Sequence, residues 1–277
     1  MKIVHRVCYD VKQHPRAKTQ FHGLGVNVIE KGDLKLGLYN YFDISEDHPN
    51  WKEVKSILHE ESLDTTSTTT QFTKKEITSA KWVQFVPDNM CGYPMPDLDF
   101  GYKAVSFAPD SECPTCGSGK EQIAPIHLKG EPKLGRKQFM AIYWVYKYFA
   151  IPEVFDILND EGITGFEAFP CLHYKSLDEL KSVKQIKVTS VLPPALISDN
   201  LVRDWSTCDH VKHNAIQRGM TKFTEQVLDG QPDVIYTNEW FGSGHQAFRL
   251  ILASSRFVKV FMDNKWKGLS FAPIELV

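Results

Sequence analysis

AIPEVFDILNDEGITGFEAFPCLH, residues 150–173, aligns without a gap against ASSRFVKVFMDNKWKGLSFAPIEL, residues 253–276, at a constant offset of 103 residues. Apolar side chains coincide at Val154/Phe257, Phe155/Val258, Ile157/Val260, Leu158/Phe261, Ile163/Trp266 and Phe166/Leu269, and Gly165/Gly268 and Pro170/Pro273 match by identity. In each copy a starter, Pro152 in one and Ser254 or Ser255 in the other, opens a helix of about ten residues whose apolar face recurs at three and four. Gly165 or Gly268 then permits a turn into a strand that Pro170 or Pro273 ends. With the apolar runs MAIYWVYKYF and FRLILA before them, both copies predict strand, helix, strand. An internal duplication is the economical explanation, and residues 139–173 and 248–276 are expected to superpose.

The rest of the chain reads outward from this unit. Up to residue 42, GVNVIE (25–30) and LKLGLYNYF (34–42), set among Gly23, Gly25 and Gly32, predict strands and turns. HPNWKEVKSILHEES (48–62) predicts a helix capped by Asn50, with Trp51, Val54, Ile57 and Leu58 on one face. LDTTSTTTQFT (63–73) reads as an exposed loop, and Thr73 with Glu76 forms a capping-box pattern ahead of KWVQFVP (81–87). FMAIYWVYKYF (139–149) reads as one buried strand, and KSLDELKSVKQIK (175–187) as a solvated amphipathic helix. The fold class is α+β, mixed strands and short helices, with an N-terminal lobe over 1–90 and a duplicated region over 91–277.

Within that region, residues 90–135 are rich in Pro and Gly and enclose ECPTCGSGK (112–120). A CxxC turn directs two thiolates to one side, and Pro114, Gly117 and Gly119 suit it, yet it is only half of a four-ligand structural zinc site. Cys208, with either His210 or His213, offers the other half. Reduced thiols without metal and a redox pair are the competing readings; a redox motif would start a helix after an apolar strand, whereas CPTCGSG runs on into glycine. Cys8, Cys91 and Cys171 read as small buried residues.

Composition removes other classes. The 32 basic and 34 acidic residues are mixed along the chain for a net charge of −2, which lacks the basic stripe that nucleic-acid binding needs. No apolar run approaches the length of a membrane span or signal peptide, so a soluble, cytoplasmic protein without membrane partners is expected. Six cysteines in 277 residues, only two of them closely spaced, fit a reducing compartment.

In CPTCG and in the paired endings GFEAFP and GLSFAP, residues 90–277 resemble a bacterial group, the double-CxxCG motif proteins. The match rests on Cys113, Cys116 and Gly117, on EWFGSG (239–244) and on KGLSFAPIEL (267–276). At the second motif Cys208 is kept, but Val211 stands where a second cysteine belongs. Some relatives look like immunity proteins of toxin systems, so the resemblance implies a protein partner, a cognate toxin.

For a non-enzymatic, partner-binding module, Tyr93, Phe100, Tyr102, Trp240 and Phe241 are the candidate anchors, because aromatic side chains dominate such contacts. The alternative is a hydrolase that uses the metal or the Glu239, Ser243 and His245 of EWFGSGHQ, although neighbours in sequence do not by themselves make a nucleophile and its base.

Overall fold

A computed structural model describes residues 1–33, 37–198, 203–204, 208–216 and 218–277; Leu34, Lys35 and Leu36 of the LKLGLYNYF run lie outside these. The chain divides into two compact units, one of residues 1–73 with 216–220, the other of 74–215 with 221–277. Among the described residues no helix is long and apolar enough to cross a membrane.

The first unit runs β1 (Lys2–Asp10), α1 (Ala17–Gly23), β2 (Ile29–Asp33), β3 (Gly37–Ser45), α2 (Trp51–Glu60) and β4 (Thr65–Gln71), with sheet order β2-β3-β1-β4. Val7 of β1 and Phe42 of β3 meet Phe21 of α1 and Val54 and Leu58 of α2 in one apolar core, so the three-and-four spacing of α2 is its buried stripe. The threonine tract expected as a loop is instead an edge strand, paired to β1 from Lys2↔Gln71 onward. β-branched residues fit a pleated edge, and their hydroxyls leave it polar and solvated. Residues 216–220 return to this unit: Arg218 forks onto Glu46 at 2.5 and 3.0 Å, and the Gly219 amide donates to Thr70 Oγ1 at 2.8 Å. Hydrogen bonding from His5, then from Arg218, holds the Glu46 carboxyl below its ordinary range.

The second unit begins with α3 (Lys74–Ser79) and β5 (Trp82–Pro87), then α4 (Tyr102–Ser106), β6 (Ile126–Leu128), β7 (Phe139–Ala141), β8 (Tyr148–Ala150), α5 (Pro152–Asp160), β9 (Phe166–Phe169), β10 (Cys171–His173) and β11 (Lys184–Val188). It continues with β12 (Leu196–Ile197), β13 (Arg203–Asp204), β14 (Lys212–His213), β15 (Lys222–Phe223), α6 (Glu225–Leu228), β16 (Val234–Tyr236), β17 (Trp240–Phe241), β18 (Ile251–Ser254), α7 (Ser255–Asp263), β19 (Leu269–Pro273) and β20 (Glu275–Leu276). The unit boundary falls at Thr73 rather than at residue 90, because β5 is an inner strand of a sheet made with β16, β18 and β19.

Two local readings change. Residues 139–149 form a hairpin rather than one strand: Phe139 pairs with Ala150, and the chain reverses through Trp144 and Tyr146 at φ of 74° and 44°. Residues 175–183 are not helical. Glu131 accepts the amides of Lys181 and Ser182 at 2.8 and 3.1 Å, and the Leu180 amide donates to Cys171 O at 2.8 Å, so tertiary partners take the donors a helix would have used.

Two four-stranded sheets follow one plan, β7-β8-β11-β9 and β16-β18-β5-β19. Phe149 and Ala150 face Gln185 and Lys184, while Leu252 and Ala253 face Gln84 and Val83. Phe166 and Phe169 face Val188 and Gln185; Leu269 and Ala272 face Pro87 and Gln84. Residues 103 apart thus hold the same place, and β5 corresponds to β11 at 101. The smaller ladders agree: Leu172 pairs with His127 and Glu275 with Lys222, so β6 corresponds to β15 at an offset of 95. Phe139↔Ala150 and Val234↔Ala253 put β7 and β16 at the same offset. The first strand of each set lies in the sheet of the other, since β5 precedes β7 in sequence but joins β18 and β19, while β11 joins β8 and β9.

The contacts between the sets are reciprocal. Thr164 O accepts from the Val234 amide and Lys267 O from the Phe139 amide, both at 3.0 Å. Gly165 and Gly268, at φ of 94° and 98°, follow those carbonyls, and a Cβ on either would come within 2.0 Å of Val234 O or Phe139 O respectively. α5 buries Val154, Phe155 and Leu158, and α7 buries Phe257, Val258 and Phe261, in one shared core. Full burial of each such side chain contributes about 1.5–3 kcal/mol. Of these two helices α7 has a side-chain cap, Ser254 Oγ accepting from the Phe257 amide at 3.4 Å, whereas α5 starts with proline.

Candidate metal centre

The offset of 95 that relates β6 to β15 also relates Cys113 to Cys208 and Cys116 to Val211. The 112–120 turn closes through the Cys113 amide donating to Ser118 O at 2.8 Å and the Gly117 amide donating to Cys113 O at 2.9 Å. Gly117, at φ 75°, lies against the His245 carbonyl, whose oxygen would be 2.2 Å from an added Cβ. Lys212 of β14 is fully buried against the same turn, its Nζ donating to the carbonyls of Cys116 at 3.1 Å, Gly244 at 2.5 Å and Gln246 at 3.3 Å. The three donors of an ammonium thereby meet three acceptors.

This packing brings the ligand atoms of Cys113, Cys116, Cys208 and His210 within 4.8 Å of one another. Metal bonds of about 2.3 Å to sulfur and 2.0 Å to nitrogen set tetrahedral donors roughly 3.5–3.8 Å apart, so a small inward movement closes the set on one ion. Cys116 is buried, Cys113 and Cys208 are half-buried and His210 is exposed. The amides of Cys116 and Thr115 hydrogen-bond the Cys113 thiol and pull its pKa down, as they would hold a thiolate ligand. Burial pushes the Cys116 thiol up, against hydrogen bonding from Ser118. A divalent cation would reverse that penalty. Three thiolates and a neutral imidazole around such a cation would carry one net negative charge.

His213 is not in the cluster. It sits next to Lys212 on β14, buried, with its ring 5.9 Å from that of Phe241. Lys212 and His213 lie on β14, paired with Trp240 and Phe241, and both are buried, while His210 precedes the strand and its ring nitrogen lies within 4.8 Å of the sulfurs. Nothing in the sequence pointed to Lys212, since a lysine among charged neighbours looks like solvated surface. Of the remaining cysteines, Cys171 is buried and its thiol pushed up to about 12 by that burial, while Cys8 is exposed on β1 rather than buried.

The aromatic candidates separate. Tyr102 and Phe241 are core side chains, 2% and 0% exposed, and present no surface to a partner. Trp240 is half-buried beneath Arg249, whose guanidinium carbon lies 4.9 Å from the ring centroid. Tyr93 and Phe100 are exposed, and both pack on Trp144, at 4.6 and 5.1 Å between centroids. In EWFGSGHQ, Glu239 Oε1 accepts the amides of Ala195 and Leu196 at 2.9 and 3.1 Å, so it anchors a loop, and Ser243 and His245 are exposed. Comparison of the chain with protein-family models and with curated proteins found no match.

Proposed function

We propose that Cys113, Cys116, Cys208 and His210 hold one structural zinc ion, and that the chain is a non-catalytic, protein-binding module of the toxin-neutralising kind. The observation that carries the metal reading is the convergence of four ligand atoms from two segments far apart in sequence. Thiolate-rich sets of three sulfurs and one imidazole favour zinc, and four protein ligands leave no open position for catalysis. The matching registers support reading 83–173 and 184–276 as duplicated copies with exchanged first strands. On that reading each copy contributed a CxxC turn, and His210 now fills the place that Val211 cannot.

Protein purified without chelator is expected to hold about one zinc per chain. His210→Ala should weaken zinc binding, measured in competition with a chromogenic chelator, by at least the roughly 10–100-fold that loss of an outer-shell partner costs, and adding Val211→Cys should restore it. Wild-type affinity in His210→Ala would remove His210 from the ligand set.

Partner binding is favoured by the exposed aromatic cluster. Phe100 is 52% and Tyr93 43% exposed, Tyr143 stacks on Tyr93 at 4.9 Å, and Phe100 and Trp144 have φ of 55° and 74°, backbone shapes that surrounding packing must impose. Rigid aromatic anchors bind at low entropic cost. Co-expression with the products of neighbouring genes is expected to give a co-purifying protein partner whose affinity falls tenfold or more in Tyr93→Ala and Phe100→Ala. Binding indifferent to both substitutions would remove this surface from the interface.

A further inference from the structure

A cavity of ≈ 520 Å³ opens in the second unit, lined by four cations, Lys120, Lys147, Lys187 and Arg249, against one carboxylate, Glu121. That volume is in the range of small-molecule sites. Two of the cations are paired with carboxylates that do not line the cavity: Lys120 Nζ lies 3.2 Å from Glu112 and Lys187 Nζ 2.8 Å from Glu167. Neither of the other two has a carboxylate within 4 Å among the described residues, although Glu239 is near enough to Arg249 to favour its charge. Lys147 Nζ reaches only the Tyr236 hydroxyl, at 3.1 Å, and Arg249 lies over Trp240. Arg249 Nε is buried without an acceptor among the described residues. Such a donor lacks the hydrogen bond that buried polar groups ordinarily make.

Much of the remaining lining is apolar. Tyr146 and Phe248 stack at 3.6 Å between centroids with 19° between planes, and Val145 and Phe107 add to it. We propose that this cavity binds a small polyanion carrying a planar ring, of the nucleoside-phosphate class, with its phosphates on Lys147 and Arg249 and its ring on the Tyr146–Phe248 face. Burial depresses the Lys120 ammonium and the Arg249 guanidinium, against the opposing pull of Glu112 on the first and of Tyr236 and Glu239 on the second. The inference is independent of the metal reading, since none of the four proposed zinc ligands lines the cavity.

The test is calorimetric titration of the intact chain with ATP, inorganic triphosphate and adenosine, at fixed ionic strength because exposed charge is screened by salt. Saturable ATP binding is expected, at least tenfold tighter than triphosphate and than adenosine, and weakened tenfold or more in both Lys147→Gln and Arg249→Gln. Arg249→Lys, which keeps the charge but loses the planar fork, should fall between. Absence of ATP binding, or ATP binding unchanged in Lys147→Gln and Arg249→Gln variants of native circular dichroism, would overturn the site. Equal affinity for ATP and triphosphate would overturn the ring half of the assignment. Should Arg249→Gln not fold, Lys147→Gln alone decides, because Lys147 is half-buried and holds only a tyrosine hydroxyl.

Discussion

Alanine at Gly165 or at Gly268 is expected to destabilise the second unit by on the order of 3–5 kcal/mol, enough to leave either variant largely unfolded at modest urea. Two costs combine. A side chain at φ of 94° or 98° is strained, and the new Cβ would lie 2.0 Å from the backbone oxygen of Val234 or Phe139. Relief requires moving β16 or β7, which breaks the 3.0 Å bonds from Val234 N to Thr164 O or from Phe139 N to Lys267 O. Gly135 and Gly230 are the controls: their φ values of 61° and 71° are also positive, but nothing lies within 4 Å of an added Cβ, so alanine there should cost only about 1–2 kcal/mol. Urea unfolding read by the fluorescence of buried Trp266 measures all four. Similar losses at 165 and 268 would express the reciprocity of the two turns. A neutral substitution at either would break it.

Zinc removal is expected to have the second large effect. At free zinc 1,000-fold above its dissociation constant, the ion stabilises the fold by about 4 kcal/mol. For a unit of this size that corresponds to a fall in Tm of roughly 8–16 °C on chelation. Cys113→Ser, Cys116→Ser and Cys208→Ser should each reproduce the fall, and none should respond further to chelator. The dependence on pH has one sign: ligand thiols must lose their protons, so the difference between metal-loaded and chelated protein should shrink as pH falls. A melting curve unmoved by chelator, together with wild-type stability in Cys208→Ser, would refute the zinc assignment.

Some of this was legible in the residues and some was not. The helices at 51–60, 152–160 and 255–263 were readable because each repeats its apolar residues at three and four, and that spacing is what the cores use. The hairpin within 139–150 was hidden by uniform apolarity, since a run buried on both faces carries no periodic mark of where it reverses. The segment 175–183 had a helical pattern, but Glu131, some 50 residues earlier, captures its amides. Cys113 and Cys116 could be named from their spacing and Cys208 from its place beside two histidines, whereas the choice of histidine depended on which residues β14 buries. The cationic cavity left no signal at all, because Lys120, Lys147, Lys187 and Arg249 are scattered over 130 positions and become neighbours only through the fold.

The placement of β5 also has a consequence during synthesis. Gln84 must wait for Leu252, which leaves the ribosome 168 residues later, and at about 5–20 residues per second that is a delay of roughly 8–34 s. Throughout it the segment WVQFVP is an apolar strand without its sheet, while β7, β8, α5 and β9 cannot complete their own sheet until β11 emerges. The nascent chain therefore carries an unpaired apolar strand through most of its translation, a stage at which aggregation competes with folding.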